Sequence, residues 1–274
     1  MPATGGNHGL RPAQTVWGFM RTRSLNAILT GVLVLSASAL TAPAAYAAET
    51  GVVIKNLSVN GGKPLVLGTS LTESFTISVT ASDNSGISSH LAFLGIDREV
   101  GDDYWSFHGR PTCTKASATT STCKLNFKLD PGWGVPRNAL AGPWDVTVQL
   151  EAKDGDLYNN GGEPKHPVLR RGKLTVNASP EPVHKGKPLK VTGKLTRANW
   201  DKRTYAGYAE KPVKLQFRKA GTHTYKTVKT VNTNSYGDLS TKVTASADGY
   251  WRWSFAGTST TSATSAAGDY VDVR

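Results

Sequence analysis

One stretch limits what this chain can fold into: Ala247 to Gly257 reads ADGYWRWSFAG. Asp248-Gly249 is a turn signal, and Trp251, Trp253 and Phe255 then recur at period two, with Tyr250, Arg252 and Ser254 on the other face. Such alternation describes a strand with one buried face. Three large aromatic side chains in a row need an apolar layer opposite them, and in a strand-rich chain that layer is a second sheet about 10 Å away. The stretch therefore predicts a β-sandwich.

The chain has 274 residues. That is room for two sandwiches of roughly 100 residues each once a leader is set aside. Arg21 and Arg23 precede an apolar run from Leu25 to Leu40, and Ala45-x-Ala47 follows. A basic region, an apolar region and small residues in that order describe a secretory signal peptide over residues 1–47, cut before Ala48. Met20 alone would open a normal leader, so residues 1–19 read as an over-extended start. The apolar run is short for a membrane span of about 20 residues and carries Asn26, Thr30, Ser36 and Ser38; no transmembrane anchor is expected.

Cys113 and Cys123 are the two cysteines. Export favours a disulfide between them, and the Thr, Ser, Ala and Lys residues separating them offer little to a metal.

Seven strand-like segments, among them Ser74 to Ala81 and Trp144 to Leu150, lie between turn signals over residues 48–177 and predict an immunoglobulin-like sandwich. Residues 178–182 (ASPEP) read as a linker, because two prolines so close cannot enter a central strand. Residues 183–274 read as a second, basic sandwich, with Tyr225 to Val231 expected to pair with Leu239 to Ala245 across Asn232 to Gly237. The whole is all-β: two tandem immunoglobulin-like sandwiches.

Charge divides unevenly. Residues 48–177 hold thirteen basic and thirteen acidic side chains, whereas 178–274 hold sixteen and seven. Lys214, Arg218, Lys226 and Lys229 fall at outward positions. Such residues keep a sandwich soluble, and a basic face can also hold to anionic wall polymers in a salt-dependent way. No nucleic-acid motif is visible.

Residues 178–274 resemble the C-terminal immunoglobulin-like domain of small exported proteins of high-GC Gram-positive bacteria. The resemblance rests on Gly186-Lys187, on Val191 to Arg197 (VTGKLTR), on Pro212 to Arg218 (PVKLQFR), on Tyr225 to Val231 (YKTVKTV), on Asp248-Gly249, and on the ending from Ala256 to Val273. The first half is similar to the companion domain more loosely, through Val59 to Lys63 (VNGGK) and the two cysteines. What the resemblance implies is a non-enzymatic exported protein of a group often labelled calcium-binding, a label that carries no defined ligand residues.

Acidic residues gather at Asp97, Glu99, Asp102 and Asp103, and at Asp154, Asp156 and Glu163, with Asp83 in a third turn. Ca²⁺ takes about six to eight oxygen ligands, and a Gly-rich acidic loop such as 154–163 (DGDLYNNGGE) supplies that chemistry. Asp83, Asp97, Asp154, Asp156 and Glu163 are the candidate ligands. The loop departs from an EF-hand, with Tyr158 and Asn159 where a ligand and the glycine belong, and its other reading is a solvated turn. Trp200, Tyr205 and Tyr208 lie in a polar insertion over 197–211 and have two readings: an aromatic platform for a carbohydrate or protein partner, or a flap closing the sandwich end. No His-Glu-x-x-His, no Gly-x-Ser-x-Gly and no phosphate loop occurs, so the chain reads as a secreted or wall-associated binding or adhesion module, with calcium binding as the alternative.

Overall fold

A computed structural model describes residues 51–274 apart from Asp102 and Gly134, with nothing described of the Asp103 side chain. The expected signal peptide lies outside these residues. Among the described residues no helix is long and apolar enough to cross a membrane.

In the first sandwich one sheet orders β1 (Val53–Val59), β3 (Glu73–Ser82), β7 (Thr120–Leu129) and β6 (Thr112–Lys115). The opposing sheet orders β2 (Leu65–Leu67), β10 (Lys165–Arg170), β8 (Gly142–Ala152), β4 (Ile87–Val100) and β5 (Asp103–Gly109), with β9 (Leu157–Asn159) on β8. The pairs are antiparallel except β2 with β10, which is parallel. This is the immunoglobulin arrangement, a four-stranded sheet facing one built on β4, β8 and β10. Alternation decides the faces. Phe75, Ile77 and Val79 of β3 meet Leu94 and Ile96 of β4 and Trp144, Val146 and Val148 of β8 in one core. Cys113 and Cys123 stand directly opposite on β6 and β7 and form the disulfide, their Cα atoms 3.9 Å apart. Residues 103–109 form the edge strand β5, with the aromatics Trp105 and Phe107 turned to the core.

The second sandwich is built on β13 (Pro188–Asn199). β11 (Gly172–Leu174) and β12 (Asn177–Ser179) pair along one side of it, while β14 (Thr204–Gly207) and β17 (Asp238–Thr244) pair along the other. The facing sheet orders β16 (Lys226–Asn232), β15 (Pro212–Lys219), β18 (Gly249–Phe255) and β19 (Thr264–Ser265), with β20 (Asp269–Val271) also on β18. Trp251, Trp253 and Phe255 of β18 are buried against Leu189, Val191, Leu195 and Leu239, as their alternation requires.

Two boundaries differ from the sequence reading. The chain changes sandwich at Arg171, and part of the expected linker 178–182 is strand: Ala178 is buried and pairs with Val191. Only Pro180 and the residues after it leave the ladder, since proline cannot donate to it. The expected pairing of 225–231 with 239–245 does not form either; β16 pairs with β15 and β17 with β13. The connection between them crosses from one sheet to the other. Asn234 shapes it, its Oδ1 accepting from the Tyr236 and Asp238 amides at 2.9 and 2.8 Å. Asp248-Gly249 likewise turns the chain between sheets, and Gly249 is needed because a Cβ there would stand 2.6 Å from the Phe217 ring.

The insertion of the second sandwich enters the core of the first. Ala198 and Trp200 belong to the first hydrophobic cluster, and the Trp200 indole N–H donates to the Gly68 carbonyl at 3.0 Å. Asn138 donates to Asn199 Oδ1 at 2.9 Å and accepts from the Trp200 amide at 2.9 Å. Arg171 pairs with Glu73 at 2.7 Å. Both sandwiches fall within one compact unit, Ala47–Arg274.

Candidate functional site

The acidic candidates separate into three places. Asp83 opens the turn after β3, and Asp154 and Asp156 lie in the turn after β8; one carboxylate oxygen from each falls within 4.8 Å of the others. This pole of the first sandwich is remote in the strand order from the Trp200 seam, since β3 runs from Glu73 at the seam to Ser82 beside it. Loop hydrogen bonds hold the pole together: Asp83 N–H to the Thr119 carbonyl at 2.9 Å, Lys153 N–H to the Gly86 carbonyl at 2.9 Å, and Asp154 N–H to Ser85 Oγ at 3.2 Å. Asp83 is 4% exposed. Its Oδ1 accepts from the Ser85 amide and hydroxyl at 2.7 and 2.6 Å, while its Oδ2 is buried without a partner. A buried carboxylate oxygen with no donor is costly.

Asp97 does not join this group. It lies mid-strand on the outward face of β4, and its oxygens are already taken: Tyr104 donates to Oδ1 at 2.7 Å, His108 Nε2 lies 2.9 Å from Oδ2, and the Thr147 hydroxyl donates to Oδ2. Burial pushes its carboxyl up, but the hydrogen bonds from Thr147, His108 and Tyr104 outweigh burial and hold it below the usual carboxylate value. Ser106 Oγ lies 3.4 Å from His108 Nδ1, completing a polar row that pins the edge strand β5 to β4. Glu163 is elsewhere again, in the turn that Asn160 closes by donating to the Glu163 carbonyl. Of the five candidate ligands, three converge.

The aromatic candidates do not form an exposed platform. Trp200 is 1% and Tyr208 7% exposed. Tyr205 is half-buried under the Lys173 ammonium, which sits 3.7 Å over its ring. Burying these rings closes the facing ends of the two sandwiches, the flap reading of this insertion.

An aromatic surface does exist, on the outer face of the sheet whose inner face carries Trp251 and Trp253. Register places Gln216 opposite Arg252, Arg218 opposite Tyr250, and Tyr250 opposite Tyr270. The Arg218 guanidinium lies 4.0 Å over the Tyr250 ring and 5.3 Å over Tyr225; that of Arg252 lies 3.7 Å over Tyr225. Tyr250 and Tyr270 pack with centroids 5.1 Å apart and their planes tilted by 60°. Arg252 Nε donates to Gln216 Oε1 at 2.8 Å. Among the described residues none of Lys214, Arg218 and Arg252 forms an ion pair with a carboxylate. Arg218 Nη1 also donates to the Thr222 carbonyl at 2.5 Å; stacking on tyrosine and these single bonds hold each planar guanidinium in place while leaving its other N–H groups for an acceptor. The sequence held a signal for this face, the Tyr250/Arg252 alternation, but Tyr225 and Tyr270 reach it only through strand pairing.

No family profile matches the chain and no curated protein matches it in sequence. Solved structures align with its strand-rich body at low similarity. A red sea bream transglutaminase is 15% identical, covering 80% of this chain and 31% of its own, with a TM-score of 0.31. The Yersinia pseudotuberculosis adhesin InvE is 14% identical over 79% of this chain and 58% of its own, with a TM-score of 0.26. The D00-D0 domain of intimin is 16% identical over 79% of this chain and 99% of its own, with a TM-score of 0.27. The chain thus spans less than two thirds of the first two. Likenesses at these TM-scores say nothing of what it binds or does.

Proposed function

We propose that this chain is an exported, non-enzymatic binding module that holds to anionic polymers of the cell envelope through the outer face of its second sandwich. The observation that carries the reading is the row of Arg218 and Arg252 set among Tyr225, Tyr250 and Tyr270, with no carboxylate among the described residues in an ion pair with either arginine. A positive, pre-ordered face of this kind meets the phosphates or carboxylates of a polymer without first breaking internal ion pairs. The charge excess of residues 178–274 adds a long-range attraction of the same sign. The disulfide and the expected leader support an extracellular setting, as does the resemblance of residues 178–274 to exported immunoglobulin-like domains. Co-sedimentation with purified cell walls tests the reading: binding at low salt should disappear when the anionic polymers are stripped from the walls, and retention on stripped walls would refute it.

A second reading is favoured by one separate observation, the unpartnered Oδ2 of Asp83 beside Asp154 and Asp156. A Ca²⁺ ion there would satisfy that oxygen and tie two turns of the first sandwich. Calcium should then raise the melting temperature of the chain at millimolar concentration, with Asp154→Asn abolishing the rise. An unchanged melt would remove this reading and leave the first untouched.

A further inference from the structure

Beside the Trp200 seam, on elements separate from the Arg218/Arg252 face, three cations gather about one buried tyrosine. Arg170 ends β10 and is 6% exposed; its Nε donates to the Ala198 carbonyl at 2.5 Å. Arg197 of β13 lies 3.9 Å over the Tyr208 ring, and the Lys211 ammonium 5.1 Å from its centroid. The Tyr208 hydroxyl is 3.5 Å from Thr258 Oγ1. Thr261 is fully buried, its backbone bridges to Arg170, and its hydroxyl acts on the Tyr208 side chain.

This group has no carboxylate paired directly with it. Among the described residues none of Arg170, Arg197 and Lys211 forms an ion pair with a carboxylate. Asp201, whose negative charge acts on Arg170, is held by Asn138 through both its backbone and its side-chain N–H groups. Burial first, and the charge of Arg197 second, pull the Arg170 guanidinium down to about 10. Burying a cation beside like charges is unfavourable unless an anion or a set of acceptors completes it, and a single ring face offsets only part of that cost. Arg197, Lys211 and Thr258 remain half-exposed, so the group is open to solvent on their side.

We propose that this seam binds an oxyanion, a phosphate or sulfate group, held by Arg170, Arg197 and Lys211 with the hydroxyls of Tyr208, Thr258 and Thr261 as further donors. Two guanidiniums give the planar donor pairs that tetrahedral oxyanions accept. The site draws on both sandwiches, since Arg170 belongs to the first sheet system and Arg197, Tyr208 and Lys211 to the second. An occupant would therefore add one more tie across the seam.

The test is a set of thermal melts of the chain in inorganic phosphate, in sulfate and in sodium chloride of equal ionic strength, joined to calorimetric titration with phosphate. The expected result is a saturable rise in melting temperature with phosphate or sulfate over chloride, one site per chain by calorimetry, and a loss of affinity of at least about tenfold in Arg197→Gln/Lys211→Gln. Arg218→Gln/Arg252→Gln should keep the effect, which separates this site from the outer face. Lys211→Gln alone, at a half-exposed position, serves if the double variant does not fold. A parallel titration with soluble poly(glycerol phosphate) distinguishes a free ion from a polymer group: tight binding of the polymer alone, lost in the Arg197/Lys211 variant, assigns the site to polymer phosphates. Equal stabilisation of all variants, or none by either ligand, would overturn the proposal.

Discussion

The indole N–H of Trp200 donates to the backbone carbonyl of Gly68 at 3.0 Å, joining residues 132 positions apart and placing a side chain of one sandwich in the core of the other. Tandem sandwiches joined by a few residues would move independently. Here the shared core, the Asn138 bonds and the Arg171–Glu73 pair make the connection stiff.

Replacing Trp200 with alanine empties that shared core. Loss of a buried indole costs about 3 to 5 kcal/mol, and the damage falls on both sandwiches. Denaturant unfolding of the wild type should follow a single transition, and that of Trp200→Ala two, with the first at lower denaturant. One transition in both proteins, at unchanged midpoint, would show the seam to be energetically idle.

Gly193 lies mid-strand on β13, where the Trp253 indole passes across it to donate to the Thr192 carbonyl at 3.0 Å. A Cβ at Gly193 would stand 2.6 Å from Trp253 Cδ1 and 2.4 Å from the Thr175 carbonyl oxygen. Gly193→Ala should therefore destabilise by about 1 to 3 kcal/mol through overpacking, with a red shift in tryptophan emission as Trp253 is displaced. Near-neutral stability would mean that the strand yields.

The disulfide closes a short loop, its cysteines ten positions apart. Chain entropy gives about 2 to 3 kcal/mol for a loop of this length. Cys113→Ser/Cys123→Ser should lose that much in urea unfolding while keeping the wild-type circular dichroism, because the β6–β7 ladder pairs the same residues without it.

Acid stability should depend on Asp97 and His166. Asp97 titrates below 3.8 in the folded chain, so its contribution is present above the unfolded value and is lost as pH falls through the lower folded one. His166 is lowered from 6.5 chiefly by burial, partly opposed by its bond to the Lys63 carbonyl. Its neutral form is the one favoured on folding, so stability declines as pH falls from 6.5 toward the folded value. His166→Gln should flatten the stability profile below about pH 6.5, and Asp97→Asn the slope below about pH 4. Profiles parallel to wild type in both variants would contradict these assignments.

How much of this was legible beforehand follows from period and distance. Alternation at Phe75/Ile77/Val79 and at Trp251/Trp253/Phe255 marks inner faces without reference to any partner, so the sandwiches could be read directly. Register and sheet choice could not: β16 and β17 look like a hairpin because each alternates or extends on its own, and only the layer opposite decides which sheet each joins. The same limit governs the sites. Asp154 and Asp156 are near neighbours in sequence, but their meeting with Asp83 depends on the β3 and β8 turns sharing a pole. Tyr225, Tyr250 and Tyr270 lie on three segments and form one surface only through the pairings of β16 with β15, β15 with β18 and β18 with β20. Trp200 was a polar-loop aromatic by sequence and a core residue in space, because the segment before it continues β13 past the end of its own sandwich.

The account rests on the Arg218/Arg252 face, and the affinity of the chain for soluble poly(glycerol phosphate) as a function of sodium chloride tests it most directly. Exposed charge contacts are screened at a Debye length of about 8 Å at physiological salt and about 3 Å at 1 M. Wild type should bind at low salt and weaken steadily as salt rises, and Arg218→Gln/Arg252→Gln, with its melting temperature kept, should bind more weakly and with a shallower salt dependence. Binding of the double variant that equals wild type at every salt concentration, or no binding of the wild type at low salt, would contradict it.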